Sequence, residues 1–330
     1  MFEDILGNEN IKKFLRNYLT SENHPHALLF VGNRGLGKRL MAMEFARALL
    51  CPKRKGDDGC QSCRQFQNGV HPDFVEIGLL EDKKFLSIEQ MRELIAGSAY
   101  APVMGKHKVI LINDVDLLKL EGANAILKIL EEPPESWTII LTATQEDRLL
   151  PTILSRVVTL RFAPLGSKEI ENAFLRQIDD REHAPVYARI SDGSIGMAIN
   201  LYEKDALELR DGAMELLSNL PTRFPLNLAC STFFKLESGR KFKREEMLLW
   251  LGLWQLLLRD ALLLQFGRED LANIDLQFEL QKFAANATRQ GLEDCLLAVE
   301  RANRDLLGSV SVKQVFEQLV METNRCLERR

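Results

Sequence analysis

The sequence predicts an α/β fold in which a parallel sheet domain is followed by helices alone. In the first half of the chain, short apolar runs alternate with segments of helix length. This alternation is typical of parallel β–α units in a sheet that is covered on both faces. Beyond residue 164, no segment has the pattern of a strand. The predicted strands lie in HALLFVG, DFVEI, KVILIND, WTIILTA and VVTLRF.

The pattern changes at FAPLGSKEIENAFL, where Pro164 and Gly166 interrupt the alternation and a new helix follows. We therefore expect an α/β domain over residues 1–164, a small helical domain over residues 165–208 and a larger helical domain over residues 209–330.

The larger helical domain carries apolar faces that exceed the needs of one short bundle. They are concentrated around Trp250, Trp254, Leu257 and Leu264. Because large apolar patches usually mark interfaces, we expect part of this surface to pack against partner subunits as a collar. A compact bundle that buries these side chains by itself is the alternative.

The composition excludes some classes of function. The chain has 330 residues, 46% hydrophobic and 27% charged, with a formal net charge of −4. This charge gives no global attraction to DNA, so any DNA contact would need a local patch or a partner. The N-terminus lacks the features of an export signal, and the most apolar window, residues 247–258, is shorter than the roughly 20 residues of a membrane span. We expect a cytoplasmic protein with no membrane contact.

The stretch GNRGLGKR, residues 32–39, follows the first apolar run and has the spacing of a phosphate-binding loop. In such a loop, backbone N–H groups cradle phosphate and the lysine reaches the terminal phosphates. Arg39 stands where the pattern G-x-x-x-x-G-K-[ST] needs a hydroxyl, which is normally a magnesium ligand. An ordinary glycine-rich β–α turn is the alternative. The candidate phosphate-binding residues are Gly32, Gly35, Gly37 and Lys38.

A second motif is found in KVILINDVD, residues 108–116. A strand that ends in Asp-Glu is where such enzymes hold magnesium and position the attacking water. Here Asn113 and Asp114 occupy these two positions. Asparagine brings no charge to a divalent cation, and aspartate is one methylene shorter than glutamate. Together with Arg39, these departures predict a site that has lost hydrolysis and needs no nucleotide cofactor of its own.

The segment NAILKILEEPPE, residues 124–135, completes an ordered set of motifs with FEDILGNENIKKFL, HALLFVGNRGLGK, HPDF and LTATQEDRLLPTILSR. The set covers most of residues 1–162, and through it the chain resembles the clamp-loader branch of the AAA+ family. The resemblance implies an AAA+ P-loop domain, a small helical lid domain and a helical collar domain used for oligomerisation.

The resemblance further implies a ring-like pentamer that opens a sliding clamp and places it on primed DNA. In bacterial DNA polymerase III, the partners would be the motor (gamma/tau) and delta subunits, and the motor subunits would bind ATP and magnesium. The family also contains a rigid stator subunit with a defective site. The chain length and Gly196, which stands where motor subunits have a nucleotide-sensing arginine, favour a non-hydrolysing stator.

Two other functions stay open at this point. One is a clamp-loader-type ATPase that binds and hydrolyses ATP itself, and the other is a nucleotide-responsive adaptor outside replication.

One arginine carries a further expectation. ILSRV, residues 153–157, resembles the family's Ser-Arg-Cys motif, with Val157 replacing the cysteine. The resemblance implies that Arg156 reaches the ATP–magnesium site of the adjacent subunit as an arginine finger. A guanidinium suits this role because it stays charged and offers planar, bidentate donors to phosphate oxygens. A surface arginine that ends a helix is the alternative.

Cys51, Cys60 and Cys63 have the spacing C-x8-C-x2-C, and Phe66 follows where family members commonly have a fourth cysteine. Four thiolates make a closed tetrahedral zinc site, whereas three leave a position for water or for another side chain such as His71. Zinc is therefore one interpretation. The preferred interpretation is a metal-free loop that keeps three relic cysteines.

Overall fold

The computed structural model describes residues 1–3, 5–21, 24–80, 85–97, 101–220, 243–308 and 310–328. The chain divides into two compact units, Met1–Glu169 and Ile170–Arg330. The predicted division of the second unit into a small domain and a collar domain stays a prediction.

The first unit is built on a five-stranded sheet whose strand order is β2-β3-β4-β1-β5. All neighbouring strands are parallel, and β1 lies between β4 and β5, with Leu28 opposite both Ile140 and Val158. The five strands predicted from the apolar runs are confirmed. Their bounds are Ala27–Val31 (β1), Phe74–Ile77 (β2), Lys108–Ile112 (β3), Trp137–Ala143 (β4) and Val158–Arg161 (β5).

Helices cover both faces of this sheet. Every residue of β1 is buried: Leu28 and Phe30 face one hydrophobic core, and Ala27, Leu29 and Val31 face the other. A strand buried on both sides reads as a continuous apolar run, which is why β1 was visible in the sequence. The helices of this unit are Glu9–Thr20 (α1), Lys38–Leu50 (α2), Gln61–Gln67 (α3), Ile88–Ala96 (α4), Leu120–Glu131 (α5) and Pro151–Leu154 (α6).

Helix α2 connects two regions of functional interest. It begins directly after Gly37 and ends at Leu50, with Cys51 as its C-cap. Its inner face, which includes Met41 and Phe45, is completely buried against the sheet. At 1.5 Å per residue, the helix holds the glycine-rich loop and Cys51 about 20 Å apart.

The described part of the second unit is helical. The helices α10 to α14 share one hydrophobic core, while Phe174, Tyr187 and Tyr202 of the preceding helices pack on one another with ring centroids 5.4–5.6 Å apart. The helices are Ser167–Leu175 (α7), Ala184–Ile190 (α8), Ile195–Glu203 (α9), Ala206–Asn219 (α10), Arg244–Gln265 (α11), Gln277–Asn286 (α12), Arg289–Leu307 (α13) and Val312–Glu328 (α14).

The residues that suggested an exposed apolar collar are mostly interior. Trp250, Trp254 and Leu257 are 0% exposed, and Leu264 is half-buried against the same core. The expectation that these side chains form a docking surface is therefore wrong. They belong to the core through which α11 packs against α10, α12 and α13. Trp250 also packs on Phe316 of α14, with ring centroids 5.3 Å apart. A collar role for the unit as a whole stays a prediction.

Helix α11 is also the one helix, within the described ranges, that is long and apolar enough to cross a bilayer by length and composition. Half of its most apolar window is buried inside the protein, and the carboxylate of Asp260 is buried within it. A core helix has the same properties, so this helix is weak support for a membrane span.

Candidate functional site

The glycine-rich loop joins the carboxyl end of β1 to the start of α2. Gly35 and Gly37 have φ values of +79° and +80°, which favour glycine over residues that carry a Cβ. A Cβ at Gly32, whose φ is +154°, would lie 3.0 Å from the Cβ and the carbonyl oxygen of Phe162. The loop therefore has the backbone shape that the sequence pattern predicts.

Lys38 is folded back onto this loop. Its Nζ donates to the carbonyls of Gly32 and Asn33, the second at 2.8 Å, and the residue is 7% exposed. Burial lowers the pKa of Lys38, although the nearby carboxylates of Asp114 and Asp116 oppose the shift. The ammonium is thus satisfied by the loop's own carbonyl oxygens.

Arg39 forms a bidentate ion pair with Glu76. Its Nε and Nη2 lie 2.5 and 2.8 Å from the two carboxylate oxygens of Glu76. The same carboxylate accepts a 2.6 Å hydrogen bond from Nδ2 of Asn113. Glu76 belongs to β2 and Asn113 directly follows β3, where its N–H continues the ladder by donating to the Ile77 carbonyl at 2.8 Å. The two departures from the ATPase pattern are therefore joined through one carboxylate.

The charge state of Glu76 follows from these contacts. Burial opposes ionisation, but the hydrogen bond and charge of Arg39, together with the hydrogen bond from Asn113, outweigh it. The net effect is a pKa below the ordinary value. Glu76 is thus an ionised partner that neutralises Arg39 and occupies the donor group of Asn113.

Sequence reasoning missed Glu76. A signal was present, because Glu76 is an ionisable residue inside the apolar run DFVEI, next to the end of its strand. The carboxyl ends of parallel strands lie side by side. A charged residue near the end of one strand therefore faces the loops that follow the neighbouring strands. The sequence alone did not show that β2 and β3 are neighbours.

The acidic segment after β3 is tied to β4. Asp114 has a φ of +51°, and its N–H donates to the hydroxyl of Thr142 at 3.0 Å. The hydroxyl of Thr144 donates to Asp116. Asp114 and Asp116 thus lie near Lys38, whereas Asn113 lies with Arg39 and Glu76. Sequence reasoning gave no role to either threonine.

Arg156 directly follows the short helix α6. Its Nη1 donates to the Thr152 carbonyl at 2.9 Å and to the Ser155 hydroxyl at 3.1 Å, while Nη2 forms a 2.9 Å ion pair with Glu131. Its side chain is 33% exposed and lines a surface cavity with His26 and Glu131. The carboxylate partner comes from the LEEPPE segment, whose link to Arg156 the sequence did not reveal.

Arg156 lies near the amino-terminal ends of the parallel strands, whereas the glycine-rich loop lies at their carboxyl ends. It precedes β5, which runs parallel to β1 with Val158 opposite Leu28, whereas the loop follows Val31. A five-residue strand spans about 16 Å, which is longer than an arginine side chain. The guanidinium therefore cannot reach the loop of its own chain.

Gly196 lies in the first turn of α9, which begins at Ile195 and is capped by the Ser194 hydroxyl. The preceding helix α8 ends at Ile190 with Ser191 as its C-cap, so a short turn at the start of this segment separates α8 from α9. Glycine still offers no side chain that could contact a phosphate.

The three cysteines predicted as metal ligands come together. Cys51 follows α2, Cys60 caps α3 and Cys63 lies in the first turn of α3. The carboxylate of Asp58 joins them, and the four ligand atoms lie within 4.8 Å of one another. Hydrogen bonds, chiefly from Cys60, hold the pKa of Asp58 well below its usual range. The set offers three sulfurs and one oxygen, which suits zinc.

His71, which was considered as a substitute ligand, does not belong to this cluster, and Phe66 stands at the position of the missing fourth cysteine. Phe66 is buried in the hydrophobic core and packs on Phe74 with ring centroids 4.7 Å apart. His71 accepts from the Asp73 N–H through Nδ1 at 3.1 Å, so Nε2 carries the proton and donates to the Ser62 hydroxyl at 2.9 Å. That hydroxyl in turn donates to the Leu50 carbonyl. His71 is thus a structural residue that ties α3 to the end of α2.

The parallel sheet and the glycine-rich loop define a P-loop-type α/β protein in which Arg39, directly after the loop lysine, is paired with Glu76. A family model described as "DNA polymerase III, delta subunit" matches residues 7–166. The delta' subunit of DNA polymerase III from Bacillus subtilis is 30% identical over 319 residues, which are 94% of each chain. The tau subunit from the same organism is 28% identical over 96% of this chain and 56% of its own length.

Among solved structures, a DNA polymerase III gamma subunit-related protein from Thermotoga maritima covers 97% of this chain at a TM-score of 0.44 and 18% identity. The sequence relationships identify the family. The chain belongs to the clamp-loader subunits of DNA polymerase III, the family of delta', gamma and tau.

Proposed function

We propose that this chain is the delta'-type subunit of a DNA polymerase III clamp loader, a stator that does not hydrolyse ATP. In this role it supplies Arg156 to the ATP site of a neighbouring motor subunit. The complex as a whole would load a sliding clamp onto primed DNA. The chain would take part in nucleotide transfer only as a subunit of the polymerase assembly.

The ion pair at the metal position is the observation that carries the first half of this proposal. Phosphoryl transfer needs magnesium placed together with its ligands and the attacking water. Here the guanidinium of Arg39 stands at the position of the hydroxyl ligand, and Glu76 holds it through two hydrogen bonds. A divalent cation would have to displace a charge-assisted, bidentate pair whose carboxylate also accepts a hydrogen bond from Asn113.

The position of Arg156 supports the second half. Its guanidinium is partly exposed, lies at the end of the strands remote from its own loop and makes surface contacts with Thr152, Ser155 and Glu131. An exposed ion pair of this kind contributes little stability and exchanges partners easily. Phosphate oxygens of a nucleotide bound to another subunit would be suitable new acceptors.

The partners follow from the same proposal. They are the motor (gamma/tau) and delta subunits, with the sliding clamp and primed DNA reached through the complex and ATP–magnesium bound by the neighbouring subunit. Replication subunits work where the chromosome is, so we propose a cytoplasmic location.

Two measurements test the proposal. The purified chain should show no ATPase activity above that of its Lys38→Ala variant, because that substitution removes the lysine that reaches the terminal phosphates in working loops of this type. The chain should also co-purify with motor and delta subunits when the three are co-expressed. Turnover that Lys38→Ala abolishes would contradict the stator assignment, and failure to co-purify would contradict membership of the complex.

A second candidate is an ATPase that acts in its own right. The observation that favours it is the preserved loop, in which Gly32, Gly35 and Gly37 keep positive φ and Lys38 is retained. The same ATPase measurement separates the two candidates, since only this one predicts activity that depends on Lys38.

A further inference from the structure

We propose that Cys51, Asp58, Cys60 and Cys63 form a closed, four-ligand zinc site in which Asp58 provides the fourth ligand. The inference does not depend on the proposed function. It replaces the preferred interpretation from the sequence, which was a relic of three cysteines without metal.

The spacing of the ligand atoms fits a tetrahedral ion. With Zn–S bonds of about 2.3 Å and a Zn–O bond of about 2.0 Å, tetrahedral geometry places sulfur and oxygen about 3.5 Å apart. Oδ1 of Asp58 lies 3.5 Å from Sγ of Cys51 and 3.4 Å from Sγ of Cys63. The same geometry places two sulfurs about 3.8 Å apart, and all four ligand atoms lie within 4.8 Å of one another.

The loop that carries Asp58 is shaped to bring it there. Arg54, Gly56 and Gly59 have φ values of +58°, +80° and +66°, and these turns fold residues 52–59 back over the end of α2. A Cβ at Gly56 would lie 3.2 Å from the backbone nitrogen of Ala48, so the close approach needs glycine. The side chain of Asp58 is only 9% exposed although it belongs to a surface loop.

Backbone donors and one lysine surround the cluster as they would surround bound thiolates. The Cys63 N–H donates to Sγ of Cys60 at 3.4 Å, and the Cys60 N–H donates to Oδ1 of Asp58 at 3.3 Å. The ammonium of Lys53 lies 3.4 Å from Oδ2 of Asp58. Zinc with three thiolates and one carboxylate carries a formal charge of −2, which these donors stabilise.

The site is structural, because four protein ligands leave no position open for a substrate. Zinc binding would displace one proton from each thiol to solvent and would fix the end of α2 to the start of α3. This region is about 20 Å from the phosphate loop, as the length of α2 requires.

The assignment is tested by comparing the parent chain with Asp58→Ala and Asp58→Cys. Asp57→Ala is the control, because Asp57 is the exposed neighbouring aspartate. Each chain is purified under reducing conditions without chelator. Zinc per chain is measured directly, and zinc affinity is then measured in competition with a chromophoric chelator. We expect about one zinc per parent chain, a loss of affinity of at least about tenfold in Asp58→Ala, and parent-like binding in Asp57→Ala and Asp58→Cys.

Cobalt substitution supplies a second readout. The intensity of the thiolate-to-cobalt charge-transfer band reports the number of sulfur ligands. It should correspond to three thiolates in the parent and rise by about one third in Asp58→Cys, where a fourth thiolate replaces the carboxylate. Because Asp58→Cys preserves the four-ligand set, it remains informative if Asp58→Ala does not fold.

Two results would overturn the assignment. One is a parent chain that binds no zinc either as purified or when zinc is added under reducing conditions. The other is an unchanged zinc affinity in Asp58→Ala together with an unchanged cobalt band in Asp58→Cys. Neither result would bear on ATPase activity or on co-purification with clamp-loader subunits.

Discussion

At the residue scale, Glu76 explains why two separate departures from the ATPase pattern belong together. It accepts hydrogen bonds from both Arg39 and Asn113, so the half-buried carboxylate of Glu76 compensates the positive charge of the exposed Arg39 side chain. Arg39→Thr alone would leave Glu76 without its cation, and Asn113→Asp alone would place a second carboxylate against Glu76. Changing both positions leaves these two carboxylates without Arg39, so magnesium would have to compensate them in the repaired site.

We expect the unmodified chain to bind magnesium-ATP weakly or not at all. The double variant Arg39→Thr with Asn113→Asp restores the hydroxyl and the carboxylate that precedes Asp114. It should bind magnesium-ATP at least about tenfold more tightly, which corresponds to about 1.4 kcal/mol. Titration calorimetry measures this. The matched control is Arg39→Val with Asn113→Asp, which has the shape of the repaired site without the hydroxyl. Tight magnesium-ATP binding by the unmodified chain would refute the interpretation.

The lowered pKa of Glu76 has a consequence for stability. Its ordinary carboxyl value is 4.5, and the paired, ionised form stabilises the folded chain above that pH. This contribution is lost as the pH falls through the lowered pKa of the folded state. Glu76→Gln should therefore be less stable than the parent at pH 7, and its free energy of unfolding should fall less steeply below pH 4.5.

Urea denaturation at several pH values measures this difference. Glu146→Gln is the control, because it removes the carboxylate of the exposed Arg161–Glu146 pair and changes the net charge equally. Equal acid dependence in the parent and in Glu76→Gln would contradict the role given to this carboxylate.

Arg156 carries a third prediction at this scale. Arg156→Ala should leave folding and assembly intact but lower the DNA- and clamp-stimulated ATPase of the complex. Arginine fingers supplied in trans change the rate of GTPases by roughly 10³–10⁵ at one site. The loss here should be partial, because this subunit borders one of several ATP sites. Arg156→Lys should not restore the rate, since an ammonium cannot reproduce the planar fork.

Arg161→Ala is the matched control for Arg156→Ala. Arg161 is also an exposed arginine paired with a glutamate, but it lies at the other end of β5. It should leave the ATPase of the complex unchanged. An assembled complex that contains Arg156→Ala and retains full ATPase and clamp-loading rates would exclude the arginine-finger role.

At the scale of elements, α11 combines an apolar surface with one buried charge. Asp260 accepts hydrogen bonds from the Ala272 and Asn273 N–H groups and from Nδ2 of Asn273, at 2.8–3.0 Å, and it pairs with Arg259. It thus fastens the segment that follows α11 onto the helix. The buried tryptophans provide the packing, while Asp260 fixes where the chain turns.

Asp260→Ala should reduce the free energy of unfolding by about 3 kcal/mol, because several buried donors lose a charged acceptor. Urea denaturation measures this free energy. It is taken from the transition of the unit Ile170–Arg330 if the two units unfold separately, or from the single transition of the whole chain if they unfold together. Asp270→Ala removes an exposed carboxylate paired with Arg268 and should change stability by less than about 0.5 kcal/mol. Similar stabilities for the two variants would show that Asp260 is not a fastening point.

At the scale of the whole molecule, the stator proposal separates two sites on one chain. The glycine-rich loop follows the carboxyl end of β1, whereas Arg156 precedes β5 at the opposite end of the strands. In this proposal the loop is inactive in its own chain, and Arg156 acts on the site of a partner.

In a reconstituted complex, Lys38→Ala in this chain should leave the ATPase rate unchanged, because the turnover comes from the motor subunits. The corresponding lysine substitution in the motor subunits should abolish turnover in the same assay. A fall in rate caused by Lys38→Ala, with assembly unaffected, would mean that the loop of this chain takes part in the reaction.

The sequence by itself determined the five strands, the glycine-rich loop and the departures at Arg39 and Asn113. These features depend on residues close together in the chain, and the buried parallel strands appear as continuous apolar runs. The ordered motifs likewise placed the chain in its family and marked Arg156 and the three cysteines.

Only the tertiary structure decided which residues complete those sites. Glu76 lies 37 residues from both Arg39 and Asn113, and Glu131 lies 25 residues from Arg156, so no local pattern links them. Asp58 is close to the cysteines in sequence, but the turns at Gly56 and Gly59 are what aim its carboxylate at the sulfurs. The apolar surface of α11 was visible in the sequence, but whether it faces a partner or its own core depends on helices that come later in the chain. The physical reason is the same in each case, because burial and charge pairing are properties of contacts between elements and not of the elements themselves.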